Sequence, residues 1–154
     1  MPKLDTTEKL IASNRKAFHD YFVLQKFEAG IALTGTEVKS LREGRANLKD
    51  SYVGFENGEA FLLAAHISPY AHGNRENHDP ERPRKLLLHR REIERVREQV
   101  IEKGLTVVPL RLYFRGSRVK AEIAVVRGKK QYDKRESEKR REAEREAAAA
   151  MKSR

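Results

Sequence analysis

Between Asp20 and Val126 the apolar positions fall in short runs with alternating or near-alternating spacing, separated by turn residues. That pattern predicts β-strands. Tyr21 to Glu28 is rich in strand formers, is interrupted at Ala29-Gly30 and resumes over Ile31 to Leu33, which predicts one strand carrying a glycine bulge. Ser51 to Phe55 and Glu59 to Ala65 flank Asn57-Gly58. That dipeptide suits a type I′ hairpin turn, because both central residues need positive φ. Later, Val108, Leu110, Leu112 and Phe114 alternate opposite Val119, Ala121, Ile123 and Val125 across the turn Arg115-Gly116-Ser117. Their spacing predicts one buried face and one outward face bearing Arg111, Tyr113, Lys120 and Glu122.

Two stretches follow the helical period instead. Thr36 is placed to cap a short helix over Glu37 to Glu43, with Val38 and Leu41 on one face and Gly44 as the stop. Ile93, Val96, Val100 and Ile101 recur at helical spacing and end at Gly104. His66 to Arg84 is polar and rich in proline, glycine and asparagine, which predicts a long surface loop. About six short strands, with helices inserted between them, predict a mainly β fold: a small OB-like β-barrel, closed or nearly closed, with two or three helices.

The 154 residues suit one domain with a tail, and no internal repeat is visible. Residues 1–126 are expected to form the body and residues 127–154 a basic C-terminal tail. The net charge is +10, and half of it lies in that tail of 28 residues. Its one aromatic is Tyr132, too little apolar surface to offset the entropy of ordering, so the tail is expected to be disordered alone. From Asp133 onward it is rich in helix formers, with Glu136 placed to pair with Arg140 and Glu142 with Arg145. It is therefore expected to become helical when a polyanion neutralises it. A mean hydropathy of −0.78, with no apolar run near the roughly 20 residues of a membrane-spanning helix, argues against a membrane protein. With no signal-like stretch in MPKLDTTEKL and no cysteine, the expected compartment is the cytoplasm.

Candidate chemistry is sparse. His66, His72 and His78, with Asp79 adjacent, lie in a loop at a spacing that matches no zinc pattern, so no metal site and no cofactor are expected. Ser13-x-x-Lys16 lacks the companion motifs of acyl-transfer enzymes. Gly35 and Gly44 lack the Gly-Lys-Ser/Thr ending of a phosphate loop. His19-Asp20, read as strand neighbours, would point to opposite faces. The chain is not expected to be an enzyme. Nucleic-acid binding is better supported, with cations at Arg15-Lys16, Lys39, Arg42, Arg45, Arg82 to Lys85, Arg90-Arg91 and Gly128-Lys129-Lys130. They are interleaved with Phe18, Tyr21, Tyr70, Tyr113 and Tyr132, so phosphates would meet the cations and unstacked bases the rings.

In order along the chain stand Asn14-Arg-Lys-Ala17 with His19 and Tyr21, EAGIALTGTEVKSLREGRANLKDSYV (Glu28 to Val53) and GEAFLLAAHISPY (Gly58 to Tyr70). GNRENHDPERPRKLLLH (Gly73 to His89), KGLTVVPLRLYF (Lys103 to Phe114) and GKKQYDKR (Gly128 to Arg135) follow. With these motifs the chain resembles the SmpB family of bacterial trans-translation, from Asn14 to about Arg145. The resemblance implies an OB-fold body that binds the tRNA-like domain of tmRNA (SsrA RNA). It also implies a tail that occupies the small-subunit decoding centre and the empty mRNA channel of a stalled ribosome. Elongation factor Tu would join the delivery complex through the shared RNA.

Matched by motif, Glu28, Leu87 and Lys120, with His19, stand at the family's RNA-contact positions; Lys16, Lys39, Arg42, Arg45, Arg84 and Lys85 are the further RNA-binding candidates. Glu28 is unusual there, since phosphate repels a carboxylate. It would either accept hydrogen bonds from base amino groups or a 2′-hydroxyl, or pair with Arg or Lys as an ordinary strand glutamate. In the tail, Gly128, Lys129, Lys130, Tyr132, Asp133, Lys134 and Arg135 match the family's decoding-centre signature, with Tyr132 placed to stack on a base. Ser137-Glu138 stands where the family often carries an apolar residue, which leaves charge and helix propensity to support the tail helix. Two other readings compete: a general ribosomal RNA-binding translation protein with the same fold, and a hydrolase using the histidine-rich loop.

Overall fold

The computed structural model describes residues 7–71, 77–129, 141–143 and 145–148. Nine strands form: β1 (Glu8–Ser13), β2 (Tyr21–Ile31), β3 (Ala46–Asn47), β4 (Tyr52–Glu56), β5 (Glu59–Leu63), β6 (His66–Ile67), β7 (Arg84–Leu87), β8 (Thr106–Arg115) and β9 (Arg118–Gly128). Of these, β2, β4, β5, β8 and β9 are the runs read along the chain, whereas β6 and the first residue of β7 fall in the stretch expected to be a surface loop. Helices α1 (Arg15–Asp20), α2 (Gly35–Arg42) and α3 (Arg90–Lys103) are set among them. Seven strands form one antiparallel sheet in the order β1-β8-β9-β2-β7-β5-β4, and β3 pairs with β6 separately. The sheet curls until β4 comes back against β8, and among the described residues no ladder joins edge strands β1 and β4. The fold is mainly β as expected, and of the two expected forms, closed and nearly closed, the sheet does not take the closed one.

The Asn57-Gly58 turn is as predicted, with φ of 51° and 75°. α3 ends at Gly104 in the left-handed region, and its Ile93 and Val96 are buried. For α2 the cap is Thr34, not Thr36: the Thr34 hydroxyl accepts from the Glu37 N–H at 3.4 Å. The Glu37 carboxylate in turn accepts from the Thr34 N–H at 2.8 Å, closing a capping box. Thr36 instead meets the His78 ring, at 2.9 Å.

Three features depart from the pattern read along the chain. The bulge in β2 lies at Leu24, between the pairs Val23–Val126 and Gln25–Val125, while Gly30 stays in the ladder. A second irregularity, at Leu110 in β8, swaps the faces. Val107, Leu112 and Phe114 enter the main core with Val119, Ala121, Ile123 and Val125, whereas Val108 and Leu110 turn to the opposite face. There they pack with Ala124, Val126 and Ala17 of α1, so both faces are buried at this end of the sheet. α1 is the third departure, since His19-Asp20 closes a helix and does not lie in a strand. Asn14 caps it, accepting from the Ala17 N–H at 3.2 Å and donating to the Pro109 carbonyl at 2.9 Å.

β9 runs through Gly128, opposite Tyr21, so the sheet extends two residues past the expected boundary at Val126. Within the tail, residues 141–143 and 145–148 are helical and exposed.

Candidate nucleic-acid interface

Beyond the area that α1 covers, the outer face of the sheet faces solvent. Register places Leu10, Tyr113, Lys120, Gly30 and Leu87 in one row across β1, β8, β9, β2 and β7. One pair further along lie Arg111, Glu122 and Glu28. Three positions more than thirty residues apart in the chain, Glu28, Leu87 and Lys120, thus meet on a single surface. Leu87 is 53% exposed, because β7 alternates and its neighbours Leu86 and Arg84 point inward. Gly30 is the flat spot between Leu87 and Lys120: a Cβ there would stand 3.2 Å from the Leu87 Cβ. Lys120 is half-buried and has no ion pair among the described residues.

Glu28 pairs in the way open to an ordinary strand glutamate, and more tightly. Its carboxylate accepts from the Tyr113 hydroxyl at 2.5 Å and from Arg115 Nη1 at 2.5 Å. Arg115 Nη2 also donates to Glu8 at 2.7 Å. Tyr113, expected on the exposed face, is there but only 2% exposed, because guanidinium groups lie over it: Arg111 at 5.0 Å and Arg115 at 5.7 Å from its ring centroid. Burial and then the bond to Glu28 push its phenol pKa well above the ordinary value, so it stays a hydrogen-bond donor. Arg111 is held by Glu122 at 2.9 Å. Sequence patterning placed Arg111, Tyr113 and Glu122 outward. Arg115 and Glu8 were missed, because each was read as a hairpin or terminal residue and not as a partner of β2.

The other candidates are distributed over several faces. Lys85 lies two residues from Leu87 on the same side of β7 and pairs with Glu59 at 3.1 Å. Lys16 pairs with Asp50 at 2.6 Å across a cleft of about 300 Å³ that Tyr21 and Tyr52 also line. His19 is highly exposed and meets Asp20 at 2.9 Å. Lys39 sits over the Tyr70 ring at 5.5 Å, and Arg45 is 3.8 Å from Glu43. Arg42 shares a cleft of about 280 Å³ with Lys9 and the Gly116-Ser117 turn.

Arg84 must be withdrawn from the surface set. It is fully buried, donating to Glu37 at 2.6 Å and to the carbonyls of Ala65 and Pro80 at 2.7 and 3.0 Å. Its charge serves to tie the 66–84 connection to α2. That connection also contributes His78, whose two ring nitrogens are engaged by Thr36 and the Ile67 carbonyl. His72 lies outside the described residues, among which no group of three potential metal ligands converges.

Gly128 forms the last pair of β9, and Lys129 extends over Phe22 with its Nζ 5.3 Å from the ring centroid. Lys130, Tyr132, Asp133, Lys134 and Arg135 lie outside the described residues. No helix among the described residues is long and apolar enough to cross a membrane.

Residues 11–153 match the family model described as SmpB protein. The chain belongs to the SmpB family. It is 59% identical to the SsrA-binding protein of Carboxydothermus hydrogenoformans, over 96% of this chain and 99% of that one. It is 60% identical to the SsrA-binding protein of Syntrophobacter fumaroxidans, over 94% and 91%. A chain in a solved structure described as "tmRNA-SmpB: a journey to the center of the bacterial ribosome" superposes with a TM-score of 0.66 at 49% identity, covering 77% of this chain and 83% of that one.

Proposed function

We propose that the chain is a non-enzymatic RNA-binding factor of ribosome rescue, acting in the cytoplasm. The body binds the tRNA-like domain of tmRNA, and the tail enters the decoding centre and mRNA channel of the stalled ribosome. Elongation factor Tu joins through the RNA that both proteins hold. The observation that carries this reading is the gathering of Leu87, Lys120 and Glu28 on one open sheet face. An exposed leucine offers a sugar or base a surface to pack on, beside a lysine with no ion pair among the described residues.

The test uses two RNAs, the tRNA-like domain and an unrelated hairpin of equal length, titrated at rising salt. Strong preference for the tRNA-like domain, weakening steeply with salt, is expected; equal affinity would favour the general ribosomal reading. Body and tail are expected to separate as well. Since β9 runs through Gly128, the tail is removed by a stop after Lys129, which leaves the sheet intact. That chain should bind tmRNA nearly as well as the full one but fail to support tagging of stalled peptides. Tyr132→Ala should impair peptide transfer at unchanged affinity, as expected of a ring that stacks in the decoding centre.

A further inference from the structure

The hairpin between β8 and β9 brings Arg115 directly opposite Arg118. Both project to the same outer face as Lys120, since 111, 113 and 115 share one side of β8 and 118, 120 and 122 the matching side of β9. Like charges facing each other across a ladder repel. The repulsion is met on one side alone: Arg115 is gripped by Glu28 and Glu8, while Arg118 and Lys120 carry no ion pair among the described residues. A guanidinium has five N–H donors, and these two carboxylates engage one on each terminal nitrogen. The rest remain available, and the side chain is 37% exposed. With Tyr113 beneath its plane, Arg115 is fixed in one orientation before any ligand arrives.

Building on the RNA-binding role above, we propose that Arg115, Arg118 and Lys120 form the edge that receives an RNA phosphate. Glu28 acts through Arg115 as a positioning residue and does not read the RNA itself. The Glu28 carboxylate accepts from Tyr113 on one oxygen and from Arg115 on the other, so its orientation is set by groups within the sheet. Its removal would relieve repulsion of a phosphate, so a loss of affinity would come from the groups it holds: Arg115, left with Glu8 alone, and the Tyr113 ring beneath it.

The experiment is a double-mutant cycle on the full chain, reading affinity for the transcribed tRNA-like domain across a salt series, with a melting curve for each variant. Arg115→Ala should weaken binding roughly tenfold or more and make the log–log salt slope shallower by about one unit. Glu28→Ala should do the same in milder form, and should add nothing in the Arg115→Ala background. Arg118→Ala should lower the slope in either background. Glu28→Gln, which can still accept from Arg115, should bind as the parent does and keeps the test intact if the alanine variant folds poorly. Glu28→Ala weakening binding at an unchanged slope, additively with Arg115→Ala, would overturn the proposal; so would Arg115→Ala leaving affinity and slope untouched. Failure of the broader reading looks different: the parent would not prefer the tRNA-like domain over the hairpin, whatever the arginines do to the slope.

Discussion

Glu37→Gln tests how far the fold depends on one buried ion pair. Glu37 and Arg84 are both fully buried, with Arg84 Nε 2.6 Å from one carboxylate oxygen. The other oxygen accepts from Arg82 at 2.6 Å and from the Thr34 N–H at 2.8 Å. Glutamine keeps the shape and can still serve the α2 cap, so the substitution removes the charge with little change in packing. What remains is a buried guanidinium without a counter-ion, a situation that costs about 3–5 kcal/mol. The carbonyls of Ala65 and Pro80 still accept from Arg84, which favours the lower end, about 3 kcal/mol. For a body of this size that is a fall in melting temperature of about 10 °C. Thermal and urea unfolding followed by circular dichroism would measure it; a loss below about 1 kcal/mol would refute the reasoning. The pH dependence gives a second check. Burial pushes the Glu37 carboxyl pKa up, but hydrogen bonds from Arg82, Thr34 and Arg84 outweigh it, and the net direction is down. A depressed carboxylate contributes stability above its unfolded pKa of about 4.3 and loses it as pH falls through the folded value. The parent should therefore lose stability more steeply than Glu37→Gln below about pH 4.3.

Other substitutions separate scaffold from surface. Asn14→Ala removes both the α1 cap and the bond to the Pro109 carbonyl, and should cost about 1–2 kcal/mol in urea unfolding. Leu87→Asn, at a half-exposed position, should leave the melting temperature nearly unchanged while weakening RNA binding without altering its salt slope. Gly30→Ala crowds the Leu87 Cβ at 3.2 Å and should weaken both stability and RNA affinity, more in the second than Leu87→Asn does.

Where local chemistry decides the outcome, the sequence was readable. The Asn57-Gly58 hairpin and the Gly104 stop of α3 need positive φ, and few residues supply it. The bulges at Leu24 and Leu110 were not readable, because a bulge exists only relative to the strand opposite. α1 escaped because six residues are too few to show a helical period, and its cap depends on a carbonyl in β8. Arg84 was placed outside on the general habit of arginine, whereas its partner Glu37 lies 47 positions away. Leu87 was legible through the family motif, and the alternation of β7 is what turns it outward. Glu28 was legible as a position but not in its bonding, since Tyr113 and Arg115 reach it from two strands away in the sheet.

The last rung of β9, Gly128 against Tyr21, is a mooring post for everything that follows it. With β9 paired to its end, the backbone leaves the sheet at a fixed place, so the seating of the body on an RNA would also set where Lys129 stands. Because side chains alternate across a strand, deleting a single residue of β9 just before that rung would turn the side chains beyond the deletion to the opposite faces of the sheet, while moving the point of departure by only about 3.4 Å.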